Sequence, residues 1–233
     1  MASAWQVLDR VATEEGALEL RHREGGEYLI TIGGRILMNS ALHRTEVAVA
    51  ELACREVADR KQPKVLVGGL GMGFTLRAAL DALPQSATVV VAELQPEVVD
   101  WCRGPLAHLT AEATRDRRVR ILVEDVRTPI ARAAELGGPA RFDAIVLDLY
   151  EGPRTAAGGD RDPMWGREAL ARARDALAPG GVLAVWSEDA DPGFDKRLQR
   201  SGFAVRRARP GKGGPRHAVY LATPASREPR RRR

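Results

Sequence analysis

Cysteine is nearly absent: Cys54 and Cys102 are the only two in 233 residues, too few for a disulfide framework or a cysteine zinc site. Histidine is scarce too, with four in the chain, and none stand at paired ligand spacing, so no metal is expected. Aromatic residues make up 5%, which leaves Val, Leu, Ile and Ala to fill any core. No apolar run approaches the ~18 residues that cross a bilayer. The opening Met1-Ala2-Ser3-Ala4-Trp5-Gln6 lacks the basic and apolar regions of a secretory signal. These absences exclude a disulfide scaffold and a membrane span, and make the cytoplasm the expected location.

What is present is a globular composition, 44% hydrophobic, with a length suited to one substantial α/β unit and a small appendage. The formal charge of +5 is concentrated at one end. Arg227-Glu228-Pro229-Arg230-Arg231-Arg232-Arg233 carries five arginines and one glutamate, a net of +4, so about +1 remains for the body. A like-charge run of this kind reads as a solvated tail, not as a nucleic-acid contact.

Texture divides the chain into residues 1–40, 41–224 and 225–233. In the first part, Ala17–Arg21, Tyr28–Ile32 and Arg35–Met38 read as short strands joined at Gly25-Gly26 and Gly33-Gly34, a hairpin pattern. Ser40 is placed to cap a helix carrying Val47, Ala50, Leu52, Ala53 and Val57. After Pro63, apolar strands alternate with helices. Strands are expected at Lys64–Gly68, Thr88–Glu93, Val119–Val123, Phe142–Leu149 and Gly181–Ser187, with helices at 74–83, 96–109, 126–136 and 167–178. Runs such as Val65-Leu66-Val67 and Ala144-Ile145-Val146-Leu147 imply burial on both faces, as in a parallel sheet. Phe203–Arg209 and His217–Ala222 then form an antiparallel pair around Pro210-Gly211-Lys212-Gly213-Gly214. The expected fold is therefore α/β: a Rossmann-like, mostly parallel seven-stranded sheet ending in an antiparallel hairpin, with a small N-terminal β-hairpin region. A parallel sheet finished by a hairpin is characteristic of S-adenosylmethionine-dependent transferases, not dinucleotide dehydrogenases.

The strand Val65-Leu66-Val67-Gly68 runs into Gly69-Leu70-Gly71-Met72-Gly73 and then a helix. Glycines at 69, 71 and 73 let the backbone turn sharply and approach a ligand, although the spacing is not the Gly-x-Gly-x-x-Gly of dinucleotide folds. Glu93 ends the next strand, where a carboxylate can accept both hydroxyls of a ribose. Asp125, ending the third, is placed either for an adenine amino group or as a helix cap. The fourth strand leads into Asp148-Leu149-Tyr150-Glu151-Gly152-Pro153. Asp148 and Glu151 can orient an ammonium and accept its proton, and Tyr150 can hydrogen-bond or stack beside them. Met164 and Trp165 read either as a lid over an acceptor or as packing at a helix start. Trp186 and Asp189 follow the fifth strand, while His43 and His217 stand alone.

On these residues the chain resembles spermidine synthase and its relatives, the polyamine aminopropyltransferases, over roughly residues 17–222. Val65–Arg77 is similar without gaps to the family's V-L-V-I-G-G-G-D-G-G-T-L-R, sharing Gly69, Gly71, Gly73 and Thr75-Leu76-Arg77. The resemblance implies that Glu93 holds ribose and Asp125 adenine. It also implies that Asp148-Leu149-Tyr150-Glu151-Gly152 stands where the family has its catalytic D-S-S-D-P. Leu177-Ala178-Pro179-Gly180-Gly181-Val182-Leu183 is similar to the L-x-P-G-G-x-L shared with many methyltransferases. Two departures stand out. The acid of the family's glycine loop is Met72 here, and of the N-terminal polyamine contacts only Glu46 fits well. The implied cofactor is S-adenosylmethionine or its decarboxylated form, and the implied partners are a small amine and a second copy of the chain. Because methionine cannot neutralise an ammonium, the sequence favours methyl transfer to a small amine, amino acid or natural-product acceptor. Aminopropyl transfer to a polyamine is the second reading, and a non-catalytic nucleoside-binding or RNA-associated module the third.

Overall fold

The computed structural model describes residues 4–150, 152–153, 159–210 and 217–225. Four N-terminal strands, β1 (Gln6–Thr13), β2 (Gly16–Arg23), β3 (Glu27–Ile32) and β4 (Arg35–Asn39), form an antiparallel sheet in sequence order. The helix α1 (Arg44–Arg55) follows. The chain then alternates β5 (Lys64–Gly68), α2 (Phe74–Ala82), β6 (Thr88–Glu93), α3 (Pro96–Arg103), β7 (Val119–Val123), α4 (Arg127–Leu136), β8 (Phe142–Leu147), α5 (Arg167–Asp175) and β9 (Leu177–Ser187). It closes with α6 (Pro192–Arg200), β10 (Phe203–Ala208) and β11 (Ala218–Pro224).

The larger sheet has seven strands in the order β10-β11-β9-β8-β5-β6-β7. Strands β9, β8, β5, β6 and β7 pair in parallel, while β11 joins β9, and β10 joins β11, antiparallel. Strand alternation divides the core into two layers. Val65, Val67, Val89 and Val91 face α1, α2 and α3, whereas Leu66, Val90, Ile145 and Leu147 face α4, α5 and α6. Leu18, Leu20, Ile30 and Ile32 of the small sheet join the first layer, so the N-terminal strands pack on the same face as α1. Trp101 on α3 donates its indole N–H to Asp9 of β1 at 2.7 Å, a second tie between them.

Several boundaries differ from the sequence expectations for local reasons. The helix expected over 96–109 stops at Arg103, because Gly104-Pro105 breaks it, and resumes as a 3₁₀ turn at Ala107–Thr110. The fifth helix ends at Asp175, and β9 begins at Leu177, four residues earlier than expected. Ser40 does not cap α1. Its Oγ accepts the Tyr28 N–H at 2.9 Å, and His43 occupies the cap position. Two elements were not foreseen. Strand β1 presents Val7 and Leu8 to solvent, so burial leaves no clear alternation there. Helix α6 starts with Asp191 accepting from the Gly193 N–H at 2.7 Å and Pro192 in its first turn.

Candidate functional site

The carboxyl ends of β5, β6 and β8 meet at the turn 69–73. Gly69 has φ +87°, and a Cβ there would stand 2.6 Å from the Asp148 carbonyl oxygen; only glycine fits. At Gly71 an added Cβ would lie 2.9 Å from the end of Met38, which reaches over from β4. The Met72 N–H points at the same sulfur, 3.0 Å away. The Met72 side chain itself is fully buried. Gly73, at φ +85°, begins α2. The glycine turn is thus a bare backbone surface, roofed on one side by Met38.

Glu93 is 8% exposed and buttresses this turn. One carboxylate oxygen accepts the Leu70 N–H at 2.8 Å and the other the Gln95 N–H at 2.9 Å. Each oxygen keeps a lone pair for a further donor. Beneath the turn, the Cys102 thiol meets the Gly71 carbonyl oxygen at 3.2 Å, and burial with the nearby Glu93 charge pushes its pKa up to about 12. Such a thiol is inert packing, not a nucleophile.

Asp148 is different in kind. Desolvation pushes its pKa up to about 7 against the opposing hydrogen bond from Thr75, and the Glu46 charge adds to the rise. The Thr75 hydroxyl bonds one Asp148 carboxylate oxygen and has the Glu46 carbonyl 3.4 Å away as an alternative acceptor. Glu46, in the first turn of α1, receives the Thr45 hydroxyl at 2.9 Å. Among the described residues, the second carboxylate oxygen of each acid has no donor. Sequence had left these two acids about one hundred residues apart; the fold brings them to either side of Thr75.

The remaining sequence-derived residues fall variously. Asp125 is held by Arg127, through its N–H at 2.8 Å and a guanidinium fork that reaches 2.6 Å, which lowers its pKa. Asp125 thus binds the first N–H of α4 from one residue outside the cap position, which Val126 occupies. Tyr150 is 45% exposed, with the Arg35 guanidinium 5.6 Å from its ring centre. Glu151 lies outside the described residues, as does the arginine tail from 226 onward. Trp165 does not border the acceptor region. It is 8% exposed and packs edge-on against Phe194 at 5.7 Å, so of its two readings packing prevails over a lid. His43 stacks on Phe74 at 3.9 Å.

His217 is not isolated in the fold. Its Nδ1 lies 3.0 Å from the Thr45 hydroxyl, and its ring meets Trp186 edge-on at 5.1 Å. The Trp186 indole N–H is buried without a partner among the described residues. Nothing local in the sequence could have joined His217 to Thr45. Arg127 carried a weak signal as the second residue after an acid at a strand end. Two clefts of about 750 and 760 Å³ also open on the molecule, one between α4 and α5 and one beside α1 and α2. Neither is lined by Glu93 or Asp148, so volume alone does not locate this chemistry.

A polyamine aminopropyltransferase of Mycobacterium tuberculosis is 31% identical over 172 residues, which cover 71% of this chain and 31% of the relative. Polyamine aminopropyltransferase 2 of Pseudomonas aeruginosa is 30% identical over 157 residues, 67% of this chain and 41% of the relative. This chain is spermidine synthase-like. It spans well under half the length of those two curated relatives. No family model matches. Among solved structures, a spermidine synthase in complex with the transition state analogue AdoDATO superimposes with a TM-score of 0.69 at 18% identity, covering 96% of this chain and 75% of that one. Human methyltransferase-like protein 13 in complex with SAH gives 0.61 at 19%, covering 80% and 84%. At such identities these two likenesses show the fold alone: the Rossmann-like methyltransferase fold expected from sequence, with the separate small antiparallel sheet.

Proposed function

We propose that this chain is a transferase that moves an aminopropyl group from decarboxylated S-adenosylmethionine to a small amine or polyamine. This reverses the order favoured by sequence, where Met72 placed methyl transfer first. The observation that carries it is the pair Glu46 and Asp148, brought together at the mouth of the glycine turn with one uncommitted oxygen each. That arrangement suits a cationic acceptor, and the two relatives named as polyamine aminopropyltransferases support the same class.

The residues present fit an adenosyl sulfonium compound. Glycine lets the backbone between Gly69 and Gly73 turn tightly against Asp148, Met38 and Thr110, and beside it Glu93 keeps acceptor capacity for ribose hydroxyls. Asp125 would serve the adenine amino group once Arg127 yields. The donor supplies an electrophilic carbon on a positively charged sulfur. An amine acceptor contributes the electron pair of the new C–N bond as the C–S bond breaks, and the resulting ammonium must lose one proton. Asp148 takes that proton. With a pKa near 7 it is ionised in a useful fraction of molecules and still basic enough to accept. When it does, the Asp148 hydroxyl can donate to Thr75, whose own proton turns to the Glu46 carbonyl. Glu46 would hold the acceptor as a cation beside this step, and Tyr150 would line its approach.

The second reading, methyl transfer from intact S-adenosylmethionine, rests on Met72. No carboxylate stands at that position to pair with the donor's amine, and Met72 is sealed in the core. Titration calorimetry with both donors decides between the two. Tighter binding of the decarboxylated donor, with aminopropyl transfer to putrescine or a related diamine, supports the proposal. A clear preference for the intact donor, with methylated product, would replace it.

A further inference from the structure

We propose that His217 is a positioning residue for the acceptor amine, acting through Thr45 on Glu46; this rests on the aminopropyl-transfer reading above. His217 precedes β11 at the far end of the chain, 172 residues from Thr45 in the first turn of α1. The direction of the hydrogen bonds follows from proton counting. Thr45 has a single hydroxyl proton, and it goes to a Glu46 carboxylate oxygen at 2.9 Å. An ionised carboxylate can only accept. The hydroxyl oxygen is then an acceptor toward His217, so Nδ1 carries a proton and donates to it over 3.0 Å.

The result is a one-way chain, His217 Nδ1–H to Thr45 Oγ–H to Glu46. It polarises the threonine hydroxyl and holds one Glu46 oxygen, leaving the other for a ligand. The edge contact with Trp186 at 5.1 Å fixes the imidazole from its other side. Asp148 is served differently, because its Thr75 hydroxyl is backed only by a carbonyl that accepts. Glu46 is thereby held in one geometry for binding, whereas Asp148 has no such backing. Loss of His217 should therefore be felt in acceptor KM before kcat, and not in donor affinity.

The test combines kinetics with imidazole ¹⁵N NMR on the full chain. His217→Phe keeps an aromatic ring against Trp186 but no donor, and Thr45→Val removes the hydroxyl. Each should raise acceptor KM about tenfold, the scale of one hydrogen bond to a charged group, with donor Kd within about twofold. His217→Asn, whose amide nitrogen falls near the Nδ1 position, should restore most of the loss. The Phe/Val double variant should lose no more than the worse single, since both break one chain. At about pH 8.5, well above the ordinary imidazole range, the neutral His217 should be the Nδ1–H tautomer in the unaltered protein and lose that preference in Thr45→Val. An Nε2–H tautomer, a double variant with multiplied losses, or an Asn variant no better than Phe would each overturn the proposal. If the unaltered protein transferred no aminopropyl group, the parent reading and the acceptor role would fall together. The tautomer measurement needs no substrate, so it would still report separately on the chain itself.

Discussion

Two pairs of acids sit at the carboxyl ends of the same sheet, and they are built to opposite specifications. Glu93 and Asp125 are each held by more than one protein donor: two backbone N–H groups on the first, a backbone N–H and a guanidinium fork on the second. Glu46 and Asp148 each have one threonine hydroxyl and little else. Several donors fix a carboxylate's geometry, and in Asp125 the Arg127 grip also lowers its pKa. Asp148, with one hydroxyl donor in a desolvated position beside the Glu46 charge, has its pKa raised and can exchange a proton at neutral pH. The difference separates a platform from a reactive pair within one crevice.

The sharpest way to break that contrast is to neutralise the reactive member. Asp148→Asn should lower turnover about a thousandfold, the scale of a lost general base, while donor Kd changes by less than about threefold. Steady-state kinetics with parallel calorimetry checks both. Equal losses in turnover and donor affinity would move Asp148 into the platform and end the distinction. Glu93 should behave inversely. Glu93→Gln leaves one backbone N–H facing an amide NH₂, so donor binding should weaken about thirtyfold and thermal stability fall by about 2 kcal/mol, with kcat changed less at saturating donor.

How much of this was legible in sequence depends on the range of the interaction. Val65-Leu66-Val67 and Ala144-Ile145-Val146-Leu147 announced buried parallel strands, because burial on both faces leaves no polar positions. The glycine turn and Glu93 were readable for a similar reason: both lie within one β–α unit, and backbone geometry dictates them. Helix α6 was missed although Asp191-Pro192 is a sound start signal. Strand β1 was missed because an exposed edge imposes little alternation on its residues. The reactive pair was only half legible. Asp148 and Glu46 could be named, but the bond from Thr75 to Asp148, and the backing of Thr45 by His217, are contacts across 73 and 172 residues. No local pattern encodes such contacts. Trp165 failed for a related reason, since a tryptophan at a helix start looks the same in sequence whether it covers a ligand or, as here, fills the space beside Phe194.

A third prediction follows from the pKa of Asp148 and concerns stability. Its native pKa, near 7, lies above the value of about 4 expected in the unfolded chain. The native state therefore binds more protons between those limits, so this group's contribution is full below pH 4 and is lost as pH rises through 7. Asp148→Asn removes the penalty. The variant should be more stable than the parent at pH 8 by about 4 kcal/mol, with the gap closing toward pH 4, as followed by denaturant melts. A gain of stability together with a loss of turnover is the behaviour expected of a site strained for chemistry. A constant difference across pH would mean that Asp148 is not the proton-binding group.

The smallest effect concerns Arg127, and it tests whether the platform is one thing or two. Glu93 gives up nothing to bind a ribose, since each of its oxygens keeps a lone pair. Asp125 has both oxygens occupied by the Arg127 fork, so an adenine amino group must share or displace it. Arg127→Ala should therefore tighten donor binding by about threefold, a fraction of the net worth of one hydrogen bond, since it frees an acceptor that remains fixed at the start of α4. Arg127→Lys should fall between, because a lysine cannot reproduce the two-pronged grip. If donor affinity instead falls in Arg127→Ala, the arginine is itself a donor-binding group. Asp125 then belongs to the helix start alone, and Glu93 is the only acid of the platform that meets the ligand.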